Sequence, residues 1–395
     1  MDRRKFIKNS ALASSLFFVP NFVKAFESLA SERLGYKRLV IIQLAGGNDG
    51  LNTIIPYYND LYYNARPRLA IIKGIIKLND DLGFHPSLAP LQALFDNGEL
   101  SIINNVGYPN PVRSHFRSMD IWQTASASDE YLQSGWLGRY LDQHGKKPYN
   151  AMEMDEQLSL AMKGNHFNGI ATNDYKVLYN TAKEPYFKNV INHYNDAHLS
   201  EHNLGYLYQT MIEAKSSANY IFENTKVKSS QESYPQNGFA RQLKNVGQFI
   251  NSGLDTKVFY TSLGGFDTHA NQNNKQTRLL KTYAESVSAF VKDLKRNETF
   301  NDTLILTFSE FGRRVKQNAA NGTDHGSANN VFIIGKHLKK AGFYNDLASL
   351  SDLDDNGDLK YSVDFRAIYA TILSNWMNVS TEGIIPTKQN NLNFI

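Results

Sequence analysis

The chain of 395 residues contains no cysteine. Disulfides, thiolate metal sites and cysteine nucleophiles are thereby excluded, and any metal must be held by oxygen and imidazole ligands. Internal repeats and low-complexity segments are also missing. Beyond the N-terminus no apolar run is long enough to span a bilayer. Charge of one sign is missing too. The formal net charge is +4, and residues 1–25 alone account for it, with Arg3, Arg4, Lys5, Lys8 and Lys24 against Asp2. The remainder is formally neutral, which gives no electrostatic footprint for nucleic acid and none for a stable membrane anchor.

The first 25 residues read as an export signal. Arg3-Arg4-Lys5-Phe6-Ile7-Lys8 is a twin-arginine signature, Ala11 to Val19 is a short apolar stretch, and Val23-Lys24-Ala25 is a small-residue cleavage site. The expectation is export to the periplasm or cell surface, with the twin-arginine translocase as the partner during transit. Proteins using that route fold before crossing, commonly because a cofactor or metal is loaded first.

With 42% hydrophobic residues, the remaining chain can build a real core. Leu39-Val40-Ile41-Ile42, Leu100-Ser101-Ile102-Ile103, Val258-Phe259-Tyr260-Thr261, Leu304-Ile305-Leu306-Thr307-Phe308 and Val331-Phe332-Ile333-Ile334 are short runs typical of strands buried on both faces. Helical spacing falls between them, at 88–97, 118–125, 239–252, 276–296 and 365–376. Strands alternating with helices predict one α/β domain over 36–395, with a doubly wound, mainly parallel sheet flanked by helices. Residues 160–235 are rich in Asn, Tyr, His and Lys and read as a helical insertion or cap.

Five polar clusters carry most of the chemistry: Gly46-Gly47-Asn48-Asp49-Gly50, Arg113-Ser114-His115-Phe116, Gly265-Phe266-Asp267-Thr268-His269, Ser309-Glu310-Phe311-Gly312-Arg313 and Thr323-Asp324-His325-Gly326. Most follow an apolar run directly, and loops after parallel strands gather at one sheet edge, where ligands bind. Asp267 and His269, two residues apart in a Gly-led loop, can face one ion or form a capped turn. Asp49 is either a ligand or part of a tight turn. Glu310 and Arg313 have the spacing of a surface ion pair, but the strand before them is too apolar for the surface. Asp324 and His325 lie in a polar loop, 318–330, beside other acids. Ser114 stands at a helix start, where it can be an N-cap, a nucleophile favoured by the helix dipole, or both. Arg113 and Arg117 flank it and can hold an anion.

Two further groups read as surface features. Asp352, Asp354, Asn356 and Gly357 begin like a calcium loop, but Val363 stands where the bidentate Glu is required. His193, His198 and His202 have poor spacing for a shared helical face.

The five clusters and the twin-arginine start, in this order, resemble the exported domain of unknown function 1501 family over nearly the whole mature chain. That family is itself similar to the alkaline phosphatase and sulfatase superfamily. The resemblance implies two divalent metal ions at the carboxyl edge of the sheet. Zinc, manganese, calcium and magnesium are all candidates. Carried over by position, Asp49, Asp267, His269, Glu310 and His325 are ligands, with Asp324 assisting, and Ser114 is the nucleophile. Phe311 stands where a second histidine ligand is expected, which leaves one ion without its imidazole.

The expected protein is an exported metal-dependent hydrolase of small phosphate or sulfate esters. Arg113 or Arg313 would stabilise the anion, and His115 would act as general acid. The alternative is a decayed member of the same fold that binds or assembles with another envelope protein.

Overall fold

The strand runs bury their alternate residues into two separate cores, one on each face of a sheet. On strand β1 (Arg38–Ala45), Val40, Ile42 and Leu44 enter one core, while Leu39 and Ile41 enter the other. This two-sided burial explains why these runs lack the polar alternation of a one-sided strand. The computed structural model describes residues 36–186, 189, 203–225 and 230–395. The export signal and His193, His198 and His202 lie outside the described residues.

After β1 the chain forms β2 (Ile54–Pro56), α1 (Asp60–Ala65), β3 (Ile76–Lys77), β4 (Leu82–Phe84), α2 (Gln92–Asp96), β5 (Leu100–Gly107), α3 (His115–Thr124) and α4 (Trp136–His144). It continues through β6 (Ala151–Glu153), β7 (Ile170–Ala171), α5 (Tyr175–Lys183), α6 (Asn203–Thr225), α7 (Gly238–Asn251), β8 (Val258–Gly264) and α8 (Gln272–Arg296). It ends with β9 (Thr303–Phe308), β10 (Asn329–Ile334), β11 (Gly342–Phe343), β12 (Val363–Asp364) and α9 (Phe365–Thr371). A π-helical turn at 372–376 extends α9.

The main sheet has the order β11-β5-β10-β9-β1-β8-β6-β7, with β12 also paired to β5. β1 lies parallel to both β8 and β9, whereas β10 is antiparallel to β5 and β9. The sheet is thus mainly parallel and doubly wound, as expected, with one reversed strand. α7 and α8 cover one face, and α3, α4 and α9 the other. A small antiparallel sheet, β2-β4-β3, stands apart from it.

Helix boundaries follow local chemistry. The Asn237 side chain accepts from the Ala240 amide and caps α7. Along α8, Leu280, Tyr283, Ala284, Val287, Phe290, Val291 and Leu294 form a buried stripe at helical spacing, and Lys295 and Arg296 occupy its last turn. Segment 160–235 is more than an insertion, because it supplies edge strand β7 to the main sheet. Its helices pack on the α7 side: Tyr175 meets Phe249 edge-on at 5.6 Å, and Ile221 enters the core. No helix of the described residues is long and apolar enough to cross a membrane.

Candidate metal centre

All five clusters send residues to the carboxyl edge of the parallel strands. Gly46 follows β1, Asp267 and His269 follow β8, and Glu310 to Arg313 follow β9. β10 runs the other way, so the loop preceding it brings Asp324 and His325 to the same edge. His115 opens α3 after β5.

Three imidazoles aim their Nε2 atoms at one carboxylate oxygen. Asp267 Oδ1 lies 3.0 Å from His269 Nε2, 3.3 Å from His325 Nε2 and 3.5 Å from His115 Nε2. His269 Nε2 and His325 Nε2 are 2.9 Å apart. Donors bonded at zinc-like distances in a tetrahedron sit about 3.3 Å apart, so these spacings suit one ion. His115, Asp267 and His325 each offer a ligand atom, all within 4.8 Å of one another, the one such group among the described residues; His269 is not part of that group and joins it through its contacts with Asp267 and His325.

Each imidazole is held by its other nitrogen. His115 Nδ1 lies 2.9 Å from Glu310 Oε1, His269 Nδ1 lies 3.2 Å from Asp324 Oδ1, and His325 Nδ1 lies 2.7 Å from the carbonyl oxygen of Arg113. A carbonyl only accepts, so His325 Nδ1 carries the hydrogen and its Nε2 presents a lone pair. Carboxylate oxygens acting as acceptors impose the same tautomer on His115 and His269. This is the pattern of metal-ligating histidines, whose outer hydrogen bond fixes ring and tautomer.

The apposed nitrogens are the test of fit. Lone pairs 2.9 Å apart beside a carboxylate repel unless a proton or metal cation stands among them. His115 Nε2 is buried without a hydrogen-bond partner, since 3.5 Å to Asp267 is too long for one. Three imidazoles with a carboxylate suit a borderline transition ion better than calcium or magnesium.

Electrostatics favour an ionised Asp267. Burial acts to raise its pKa, but hydrogen bonding and charge from Arg313, helped by His269 and His325, outweigh burial and bring it down to about 2. His115 is pushed up, chiefly by its hydrogen bond to Glu310. Burial lowers His325. For Asp324, burial is again the largest, raising influence, but the hydrogen bonds from Asn318 and His269 lower the group overall.

Several expected ligands and catalysts have other tasks. Asp49 is completely buried and pairs with Arg66 Nη1 at 2.6 Å, while Gln272 Nε2 donates to the same carboxylate oxygen. Its carboxylate is therefore closed by protein donors and outside the cluster. Glu310 does not face the centre as a ligand. Its Oε1 accepts from the Gly46 amide at 2.7 Å as well as from His115. Asp324 likewise orients His269, with Asn318 Nδ2 at 3.2 Å. His115 was expected to be a general acid but stands in the ligand group.

None of the arginines expected to bind anion is free. Arg313 is sealed from solvent and donates to the carbonyls of Gly46, Gly47, Phe266 and Thr323 and to Asp267. It is a clamp joining the loops after β1 and β8 to the loop before β10. Arg113 pairs with Asp358, and Arg117 with the carbonyls of Ala127, Ser128 and Glu130. Ser114 is exposed, and its hydroxyl makes no capping bond to α3.

Phe311 is not an empty place for a lost ligand. Its ring packs 4.8 Å from both His115 and His325, holding two imidazoles from behind. Gly46 and Gly47 allow this closeness. Both have positive φ, and a Cβ would strike the Asp267 amide at the first and the Phe311 ring at the second. Arg66, Gln272, Asn318 and the Arg113 carbonyl had no signal of their own in the sequence. Each matters through a partner remote in sequence, except Asn318, which lies six residues from Asp324.

The solved structures that the chain is similar to include the C-terminal periplasmic domain of EcEptC from Escherichia coli in complex with Zn, at 12% identity, TM-score 0.42, covering 91% of this chain and 88% of that one. A protein in the alkaline phosphatase superfamily from Vibrio parahaemolyticus matches at 10% identity, TM-score 0.39, covering 89% and 69%. The PsFucS1 sulfatase from Pseudoalteromonas sp. matches at 11% identity, TM-score 0.38, covering 94% and 76%. No curated protein matches the chain. The sequence profile described as "Protein of unknown function (DUF1501)" matches residues 36–389, and the chain belongs to that family.

Proposed function

We propose that the protein is an exported metal-dependent hydrolase of small phosphate or sulfate esters, with its ion held by Asp267, His115, His269 and His325. The observation that carries the metal is the close approach of the His269 and His325 Nε2 atoms, at 2.9 Å, beside an ionised carboxylate. A bound divalent ion would supply Lewis-acid polarisation of an ester oxygen. The residues around it do the rest. Glu310, Asp324 and the Arg113 carbonyl fix the imidazoles, and Arg313 holds Asp267 ionised and in place. With the guanidiniums occupied, the free amides in the first turn of α3 are the donors left for an anion. The exposed Ser114 hydroxyl, next to His115, is the group offered as nucleophile. The twin-arginine start adds export to the periplasm or cell surface.

The occupied guanidiniums also favour a second reading, a metal-holding protein of the same fold that binds an envelope partner and turns over nothing. One experiment separates the two. Elemental analysis of the purified protein is followed by assays on aryl phosphates and aryl sulfates with zinc, manganese and cobalt. The hydrolase reading expects a stoichiometric transition ion and turnover that Ser114→Ala abolishes. A loaded but inert protein would support the second reading, and a protein that takes up none of these ions would defeat both.

A further inference from the structure

The acidic loop at 352–358 looks like solvated surface in sequence, yet it has one residue with no exposure at all. Asp358 is completely buried. The loop is shaped to present it: Asp354 Oδ1 accepts from the amides of Asn356 and Asp358, both at 2.9 Å, and Gly357 takes positive φ. The Leu359 carbonyl is tied to Ser327 Oγ at 2.7 Å, which anchors the loop beside the segment entering β10.

Asp358 Oδ2 takes the Arg113 guanidinium through both Nε, at 2.8 Å, and Nη2, with Asp354 Oδ2 3.4 Å from the same Nη2. The main-chain carbonyl of that same arginine is the acceptor for His325 Nδ1, at 2.7 Å. The chain of contacts therefore runs from a buried carboxylate, through one residue's side chain and backbone, to a histidine of the metal centre. His115 and His269 are oriented by carboxylates directly. His325 is oriented by a neutral peptide oxygen, whose position depends on where residue 113 is held. The Arg113 side chain itself is 26% exposed.

We propose that Asp358 is a positioning residue for the metal centre. By clamping the Arg113 side chain it fixes the Arg113 carbonyl, and through it the tautomer and aim of His325. This inference rests on the metal reading above. It extends that reading to a residue outside the five polar clusters, assigning the loop a task in ion affinity.

The test is zinc affinity, measured by competition with a chromogenic chelator, together with the visible absorption of the cobalt-substituted protein. Asp358→Asn is expected to weaken zinc binding about tenfold, the lower end for an outer-shell change. The cobalt bands should shift because His325 is displaced. Asp358→Glu should recover part of both. Arg113→Ala, which keeps the carbonyl but removes its tether, should reproduce the loss, and it replaces Asp358→Asn should that variant not fold. Asp352→Asn, which breaks only an exposed pair with Lys360, should leave both readouts at wild-type values. Wild-type affinity and an unshifted cobalt spectrum in folded Asp358→Asn or Arg113→Ala would overturn the proposal. A wild-type protein that binds neither ion would instead overturn the metal reading itself.

Discussion

The Arg313 guanidinium reaches Asp267 Oδ1 at 2.7 Å from a side chain with no solvent exposure, while Asp267 itself remains half-open. A buried cation thus aims an accessible carboxylate. Lysine has one point of charge where Arg313 uses a planar fork on four carbonyls and a carboxylate. Arg313→Lys should therefore lower stability by about 3 kcal/mol or more, as for other broken buried networks, and reduce metal content in the protein that folds. Chemical denaturation and elemental analysis measure the two effects. An unchanged unfolding midpoint would contradict the clamp.

Asp49 and Asp267 are both aspartates in loops after strands, but their substitutions should differ in their effect on metal content. Asp49→Ala leaves Arg66 buried without its carboxylate. The expected cost is about 3–5 kcal/mol, with normal metal content in whatever remains folded. Asp267→Ala takes the carboxylate from the sealed Arg313 and should cost stability too, but it should also abolish stoichiometric metal. If Asp49→Ala lost metal without losing stability, the carboxylate would have to be a ligand after all.

On the proposed ligand set, replacing His115, His269 or His325 by alanine should each lower zinc affinity by at least about a hundredfold, since each change removes a ligand rather than its outer partner, for which 10–100-fold is typical. Glu310→Gln and Asn318→Ala should fall below these in effect. Isothermal titration of the apo protein ranks the series. A ranking in which Asn318→Ala exceeds His269→Ala would rule out the assigned roles.

Glu153 offers a pH test remote from the metal centre. Burial raises its pKa from 4.5 to about 7, and this outweighs hydrogen bonding from Ser159. Below 4.5 both folded and unfolded chains hold the proton. Between 4.5 and 7 the folded chain holds it and the unfolded chain does not, so stability falls as pH rises through this window and is level above it. The loss is at most about 3 kcal/mol. Glu153→Gln should flatten that part of the stability profile, as read from urea midpoints between pH 4.5 and 8. A slope of equal size in the variant would assign the effect to other groups.

The sheet and the convergence of its loops were legible because buried strands are written as short apolar runs and most clusters follow one. β10 was legible as a strand but not as the reversed one, since a run buried on both faces reads the same in either direction. Strands β2, β3, β7, β11 and β12 have only two or three residues, too short for any period to show. At the centre, Asp267, His269 and His325 could be read from residue type and loop position. Asp49 could not be told from them, because what removes it is Arg66, 17 residues away in a loop. The fate of Arg313 was equally hidden: four of its acceptors are main-chain carbonyls, which every residue possesses.

The centre has a sealed floor and an open mouth. Glu310, Phe311 and Arg313 are at most 2% exposed, whereas the side chains of Asp267 and His269 are 47% and 46% exposed. An ion held by Asp267 and His269, as proposed, would keep an open path to solvent in the folded chain.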